Sequence, residues 1–256
     1  MLPALMAVGW VAAFPAEGVC AKEREFSPQG PALQTVLEFE TTARFLAILL
    51  ESGRAVINEN QDLFDDPGKG EKGFSPGVFE QQLVEDFRSR STIDLRDLAT
   101  ARVPQRAKEL LPVLVTTGKQ VVAEAQAQIN QRGVGFKGFI PAVFGARVAG
   151  RFLELTGVRL KQTALAPRNP SNGPDAFERA ALQEFAASAY PKEKVISEVT
   201  AKSGALRLMY PLYTTRRCLE CHGEPKGAPD RTGHPREGLR LGQNAGAISV
   251  TIPIGK

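Results

Sequence analysis

Histidine is almost missing from this sequence and cysteine nearly so: 256 residues hold two of the first and three of the second. Two histidines leave little for a histidine-based catalytic constellation. No Gly-x-Ser-x-Gly elbow and no His-Glu-x-x-His helix is present either. A dominant charge is lacking as well. The formal net charge is +4, with both signs interspersed, a field too weak and too mixed to hold nucleic acid. The aromatics are mostly Phe at spaced positions, so no basic-aromatic stacking surface forms. Beyond the N-terminus no apolar run is long enough to cross a bilayer. The chain is long enough to bury one or two proper cores.

Against that scarcity, three of these five rare side chains stand together. Cys218-Leu219-Glu220-Cys221-His222 is the pattern of c-type haem attachment. Each thiol adds across one haem vinyl group to form a thioether. Two intervening residues let one short turn present both sulfurs to adjacent edges of the porphyrin. His222 then lies under the ring, a standard protein ligand for iron. Two other readings stay open. Cys218, Cys221 and His234 show a partial zinc-finger spacing, although the usual second histidine is absent. A redox dithiol or disulfide is the other, and it gives His222 no role.

Residues 2–15 are apolar, with the length of a signal-peptide h-region rather than a membrane span. Val19-Cys20-Ala21 supplies small residues for cleavage after Ala21, although no basic n-region precedes them. Cys20 reads poorly as a lipobox cysteine, because Val19 stands where Gly or Ala is expected. Residues 1–21 are therefore expected to be a signal peptide or, uncleaved, a short anchor to the membrane. The protein is expected in the periplasm or otherwise exported.

The first half contains a duplication at a constant offset of 65 residues, running from 46–87 to 111–152 without a gap. Leu46 pairs with Leu111, Gly53 with Gly118, Lys72 with Lys137, Phe74 with Phe139, Pro76 with Pro141 and Phe79 with Phe144. Each copy reads as helix, glycine loop, helix, short strand. The glycine within each first-helix stripe suggests a close backbone approach. Gly68-Lys69-Gly70 and Gly133-Val134-Gly135 follow no strand and lack a Gly-Lys-Ser/Thr ending, so a phosphate loop is rejected. Only the second copy runs on into the cysteine motif. We expect a helical module at 32–104, open to structural, dimerising or regulatory roles and leaving a homodimer open. A haem-bearing domain is expected at 105–256.

The second half reads as a strand at 158–163 and a stiff Pro/Asn/Gly loop at 167–175. A helix follows from 176 to about 187, capped by Asp175 with Glu178 three residues on. Strands at 195–200 and 205–210 make a hairpin, and a last strand at 246–254 follows the polar loop 223–243. The order is α+β, with an antiparallel sheet.

Four motifs occur in order: Gly138-Phe139-Ile140-Pro141-Ala142-Val143-Phe144-Gly145; Arg168-Asn169-Pro170-x-Asn172-x-Pro174-Asp175; Cys218-Leu219-x-Cys221-His222-Gly223; and Gly246-Ala247-Ile248-Ser249-Val250. On these the chain resembles the bacterial c-type haem-binding PAS-like domain family, over about 111–256. That family occurs as exported monohaem proteins and as input domains of sensor kinases. The resemblance implies a PAS-like antiparallel sheet with a long N-terminal helix. It also implies one covalent haem c on Cys218 and Cys221, with His222 on iron. Sensing of redox state or a small ligand, or electron transfer, is the implied role. Some members supply a cysteine just before the Pro141-like motif as second axial ligand. No cysteine stands there in this chain, so the sixth ligand is open.

His234 and Met209 are the candidates for that position. A solvated loop histidine, a core methionine and a vacant or water-bound position compete with them. Arg168, Arg216, Arg217 and Lys226 suit haem propionates, Arg especially through its planar fork. Phe139, Phe144, Tyr210 and Tyr213 are candidate pocket walls or ordinary core. The expected protein is no enzyme but a haem sensor that signals by contact with a partner protein. A plain electron-transfer cytochrome c is the alternative, and a haem peroxidase a more remote one.

Overall fold

The computed structural model describes residues 33–187, 189–200 and 204–254. The expected leader and Cys20 lie outside these residues. Among the described residues no helix is long and apolar enough to cross a membrane.

Six helices come first: α1 (Leu33–Glu59), α2 (Gln61–Asp65), α3 (Pro76–Ser91), α4 (Gln105–Glu124), α5 (Gln126–Ile129) and α6 (Pro141–Thr156). Their bounds restate the 65-residue offset, most plainly in α3 and α6. Pro sits at the first helical position of both, where its missing N–H costs nothing. Ser75 adds a cap to α3 by accepting from the Val78 N–H at 3.2 Å. Both helices stop on a left-handed residue, Gly157 at φ 71° and its counterpart Thr92 at φ 63°.

The two copies interlock by exchanging equivalent contacts. The Lys72 N–H donates to Asn130 Oδ1 at 2.9 Å, and the Lys137 N–H donates to Asp65 Oδ1 at 2.9 Å. Lys72 and Lys137 are both buried. Each turns its ammonium into its own glycine loop: Lys72 donates to the carbonyls of Asp66 and Lys69, Lys137 to those of Val134 and Gly135. The repeated Lys-Gly-Phe step in each copy therefore closes its own loop, which is why a buried lysine is tolerated there.

The sheet follows: β1 (Arg159–Thr163), β2 (Ile196–Thr200), β3 (Ala205–Tyr213) and β4 (Asn244–Pro253), antiparallel in the order β1-β4-β3-β2. Between β1 and β2 lies α7 (Ala176–Ala186), opened by a full capping box of Asp175 and Glu178. Side chains alternate across the sheet. Leu206, Leu208, Ile248, Val250 and Ile252 face the helices and join their core. Met209 and Ala247 face the other way, onto Ala181, Leu182 and Phe185 of α7. The fold is α+β, as expected.

One expectation needs correcting. The short strand proposed after the first copy is a 3-10 turn at Leu95–Asp97, opened by Asp94. Its counterpart becomes β1 because it meets the open edge of β4, and the first copy finds no such edge. The hydrophobic core is continuous across the expected boundary between 32–104 and 105–256. One hydrophobic cluster runs through both copies and the inner face of the sheet, and α1 lies directly on β3 and β4.

Candidate functional site

The chain leaves β3 through Thr214, which is buried. Its N–H donates to the Gln243 carbonyl and its carbonyl accepts from the Gly242 N–H, both at 3.0 Å. The hydroxyl adds a bond to the Arg240 carbonyl at 2.5 Å. These bonds close the neck of a long loop just before β4 begins.

Inside the loop, α8 (Leu219–His222) is a single turn. The His222 N–H donates to the Cys218 carbonyl and the Gly223 N–H to the Leu219 carbonyl, each at 2.9 Å. Positions 218, 221 and 222 stand at i, i+3 and i+4, so one face of the turn carries both thiols and the imidazole. Both cysteines are free and half-buried. Burial pushes the Cys221 thiol up, and the Asp230 charge adds to that, so it stays S–H at neutral pH. A Cβ on Gly223 would sit 2.5 Å from the Leu219 carbonyl oxygen, so only glycine lets the chain leave here. The Leu239 N–H then donates to the His222 carbonyl at 2.8 Å and ties the far side of the loop to the turn.

The imidazole has a defined orientation. His222 Nδ1 lies 2.8 Å from Glu237 Oε2. A carboxylate accepting at Nδ1 keeps the proton there and leaves the Nε2 lone pair free for a metal. Glu237 is gripped in turn by Arg168, Nε to Oε1 at 2.6 Å and a terminal nitrogen to Oε2 at 2.9 Å. The same guanidinium donates to the fully buried Asp230 side chain at 2.6 Å and to the Cys221 carbonyl at 3.0 Å. Burial pushes the Glu237 carboxyl up, but hydrogen bonds from Arg168 and His222 outweigh it and hold it below its ordinary value. Asp230 behaves alike: burial is overcome by bonds from Thr232 and Arg168, and its carboxyl lies well below the usual range.

Arg168 thus faces protein carboxylates. Arg217 does too, reaching Asp62 at 2.5 Å and Glu220 at 3.2 Å. Beside it Arg231 bridges Asp65 at 3.2 Å and Glu220 at 2.9 Å. Together they strap the cysteine turn to α2. Arg216 is exposed, as are Lys226 and His234. The His234 backbone closes a small turn with Asp230, its N–H donating to Oδ1 at 3.1 Å. Met209 is fully buried under α7, and Phe139 and Phe144 belong to the helical core. Among the described residues no group of three or more His, Cys, Asp or Glu is placed to hold a metal ion. The partial zinc spacing therefore does not close into a site.

A cavity of about 620 Å³ opens between the end of α7 and the neck of the loop; none of Cys218, Cys221 and His222 lines it. One wall is Gly238 with Arg240 and Leu241, the residues on either side of Leu239. Phe185, Tyr190, Lys192 and Tyr213 complete most of the rest. The Tyr190 and Tyr213 hydroxyls are buried without a hydrogen-bond partner.

The Tll0287-like family model matches residues 33–253. The chain belongs to the Tll0287-like family. The match spans both helical copies as well as the sheet. A solved structure, the crystal structure of the cyanobacterial heme-protein Tll0287, is similar at 21% identity with a TM-score of 0.38, covering 57% of this chain and 95% of that one. No curated protein matches.

Two site residues of this Tll0287-like chain escape sequence reasoning: Glu237 and Asp230. Both sit in a polar loop with no periodicity to mark them. The one available signal is Arg168, singled out within the Arg168-Asn169-Pro170 motif, a half-buried guanidinium that finds its partners in this loop.

Proposed function

We propose that this chain is an exported monohaem c-type cytochrome of PAS-like fold that senses redox state or a small ligand. The observation that carries the reading is the turn itself: two free thiols and an imidazole on one face, with Nδ1 committed to Glu237. That donor set fits haem iron, since a ligating histidine usually gives its other ring N–H to such an acceptor. Cys218 and Cys221 would hold the porphyrin and His222 would bind its iron. At the neck of the same loop, the cavity lined by Lys192 and Arg240 offers cations that suit carboxylate arms. Bound haem would supply a one-electron couple and a coordination position for a small ligand.

Sensing is favoured over plain electron transfer by the strap. Arg217 and Arg231 join the turn to α2, and hence to the interlocked helices. A change at the turn has a route into the helical layer, from which a partner protein could read it. With Met209 packed beneath α7 and His234 exposed on its loop, bound haem would be free to take a ligand from solution.

The test is expression of the full chain in a host that matures cytochromes c. Purified protein should be red, resist haem extraction into acidified organic solvent and show one haem c by pyridine haemochrome. Reversible CO or NO binding by the ferrous form supports sensing. Low-spin six-coordinate iron in both oxidation states, inert to both gases, would leave an electron-transfer cytochrome. Colourless protein would end the haem reading.

A further inference from the structure

We infer that Glu237, held in place by Arg168, is a positioning residue that sets the reduction potential of the iron through His222. The inference rests on the haem reading above and adds to it the group that tunes the couple.

The geometry has three links. The Glu237 carboxylate takes the Nδ1 proton side of His222 at 2.8 Å. Arg168 fixes both of its oxygens, at 2.6 and 2.9 Å, so the carboxylate cannot swing away. Arg168 is itself fixed by Asp230 and by the Cys221 carbonyl, an atom of the attachment turn. The orientation of the imidazole is therefore built on the same backbone that carries the thiols.

The electronic consequence follows from charge. A carboxylate hydrogen-bonded to Nδ1 gives the imidazole part of the character of its anion and makes Nε2 a stronger donor. A stronger donor and a nearby negative charge both favour ferric over ferrous iron, which lowers the potential. A neutral acceptor in the same place would do neither. Arg168 works in the opposite direction, since its positive charge draws on the carboxylate and faces the same region. The pair is a balance: the potential is lower than with a neutral acceptor and higher than with a bare carboxylate. Hydrogen bonding to a ligand of the iron is one of the recognised levers on haem.

The experiment is a spectroelectrochemical titration of the full holoprotein and of Glu237→Gln and Arg168→Gln, each first shown to carry one haem c by pyridine haemochrome. Glu237→Gln keeps the shape and loses the charge. Its midpoint should rise by about a tenfold change in the oxidised-to-reduced ratio, the scale on which groups bonded to a metal ligand act, or about 59 mV for one electron. Arg168→Gln should shift it in the opposite direction. A merely structural role would admit water to the site and lower the potential in both variants. An unchanged or lowered midpoint in Glu237→Gln overturns the inference while the haem reading stands. Should that variant fail to accumulate, Arg168→Lys, which keeps the charge and loses the planar fork, is compared with Arg168→Gln: the midpoint should fall further in Arg168→Gln, and equal midpoints overturn the inference. Loss of haem from the wild-type protein sinks the parent reading instead.

Discussion

The ring of Phe144 occupies the place where a Cβ on Gly53 would stand, with Cε1 only 2.8 Å from it. The relationship is returned by the second copy, where the ring of Phe79 lies 3.1 Å from the position of a Cβ on Gly118. The two rings meet at 5.3 Å between centroids, each copy's phenylalanine filling the notch of the other copy's glycine. Removing the two notches should affect stability unequally. Gly53→Ala must displace a ring that Phe139 and Phe79 already confine. Overpacking of this kind costs roughly 1–3 kcal/mol, against about 1 kcal/mol gained in helix propensity. Gly118→Ala has more room and should come out near neutral. Urea midpoints that rank Gly118→Ala below Gly53→Ala would contradict this packing.

The shared core makes a second outcome plain. A chain cut before residue 105 loses α1 from the face of β3 and β4. Leu206, Leu208, Ile248, Val250 and Ile252 would then lie bare. At roughly 1.5–3 kcal/mol for each large apolar side chain, the loss is on the order of 10 kcal/mol, comparable with the roughly 5–15 kcal/mol of a whole domain. Residues 105–256 alone should lack a cooperative thermal transition by circular dichroism. A folded fragment would restore the picture of two separable modules.

Thr92 is the one described non-glycine residue at positive φ, 63°. A β-branched residue there is strained by roughly 1–2 kcal/mol. Glycine relieves the strain but costs roughly 0.5–1 kcal/mol in chain entropy. Thr92→Gly, the residue the second copy already uses at Gly157, should therefore stabilise the protein by a few tenths to about 1 kcal/mol in urea melts. A destabilised variant would mean that the Thr92 hydroxyl, which donates to the Ser91 carbonyl at 2.6 Å, outweighs the strain.

Asp230 predicts a pH dependence. Its folded carboxyl lies well below the ordinary aspartate value because Thr232 and Arg168 outweigh its burial. A depressed value means that the charged form stabilises the fold. That contribution is complete above about pH 3.9, the unfolded value, and is lost as pH falls toward the folded one. Asp230→Asn should be less stable than wild type at pH 7 and at pH 5 by the same margin. The margin should shrink only below about pH 4. A gap that already narrows between pH 7 and pH 5 would assign the linkage to another group.

Several features could be read from residue order alone. Cys218, Cys221 and His222 are locked to one face by spacing within a single helical turn, which needs no distant partner. The capping box at Asp175 and Glu178, the hairpin ending at Thr200 and Ala205, and the paired helices at 76–91 and 141–156 are equally local. Local hydrogen bonds and period are enough to specify each of them.

Contacts between distant residues decided the rest. Glu237 reaches His222, and Arg168 reaches Glu237 across 69 positions, because the neck at Thr214 brings both strand ends and the loop together. Leu95–Asp97 becomes a turn and its copy a strand because only one of them meets β4. Whether the two copies fold as one body depends on Gly53, Phe79, Gly118 and Phe144 meeting across the repeat. Repetition along a chain reveals that two pieces are alike, but not that each is completed by the other. That depends on burial, and burial is settled only when the whole chain has closed.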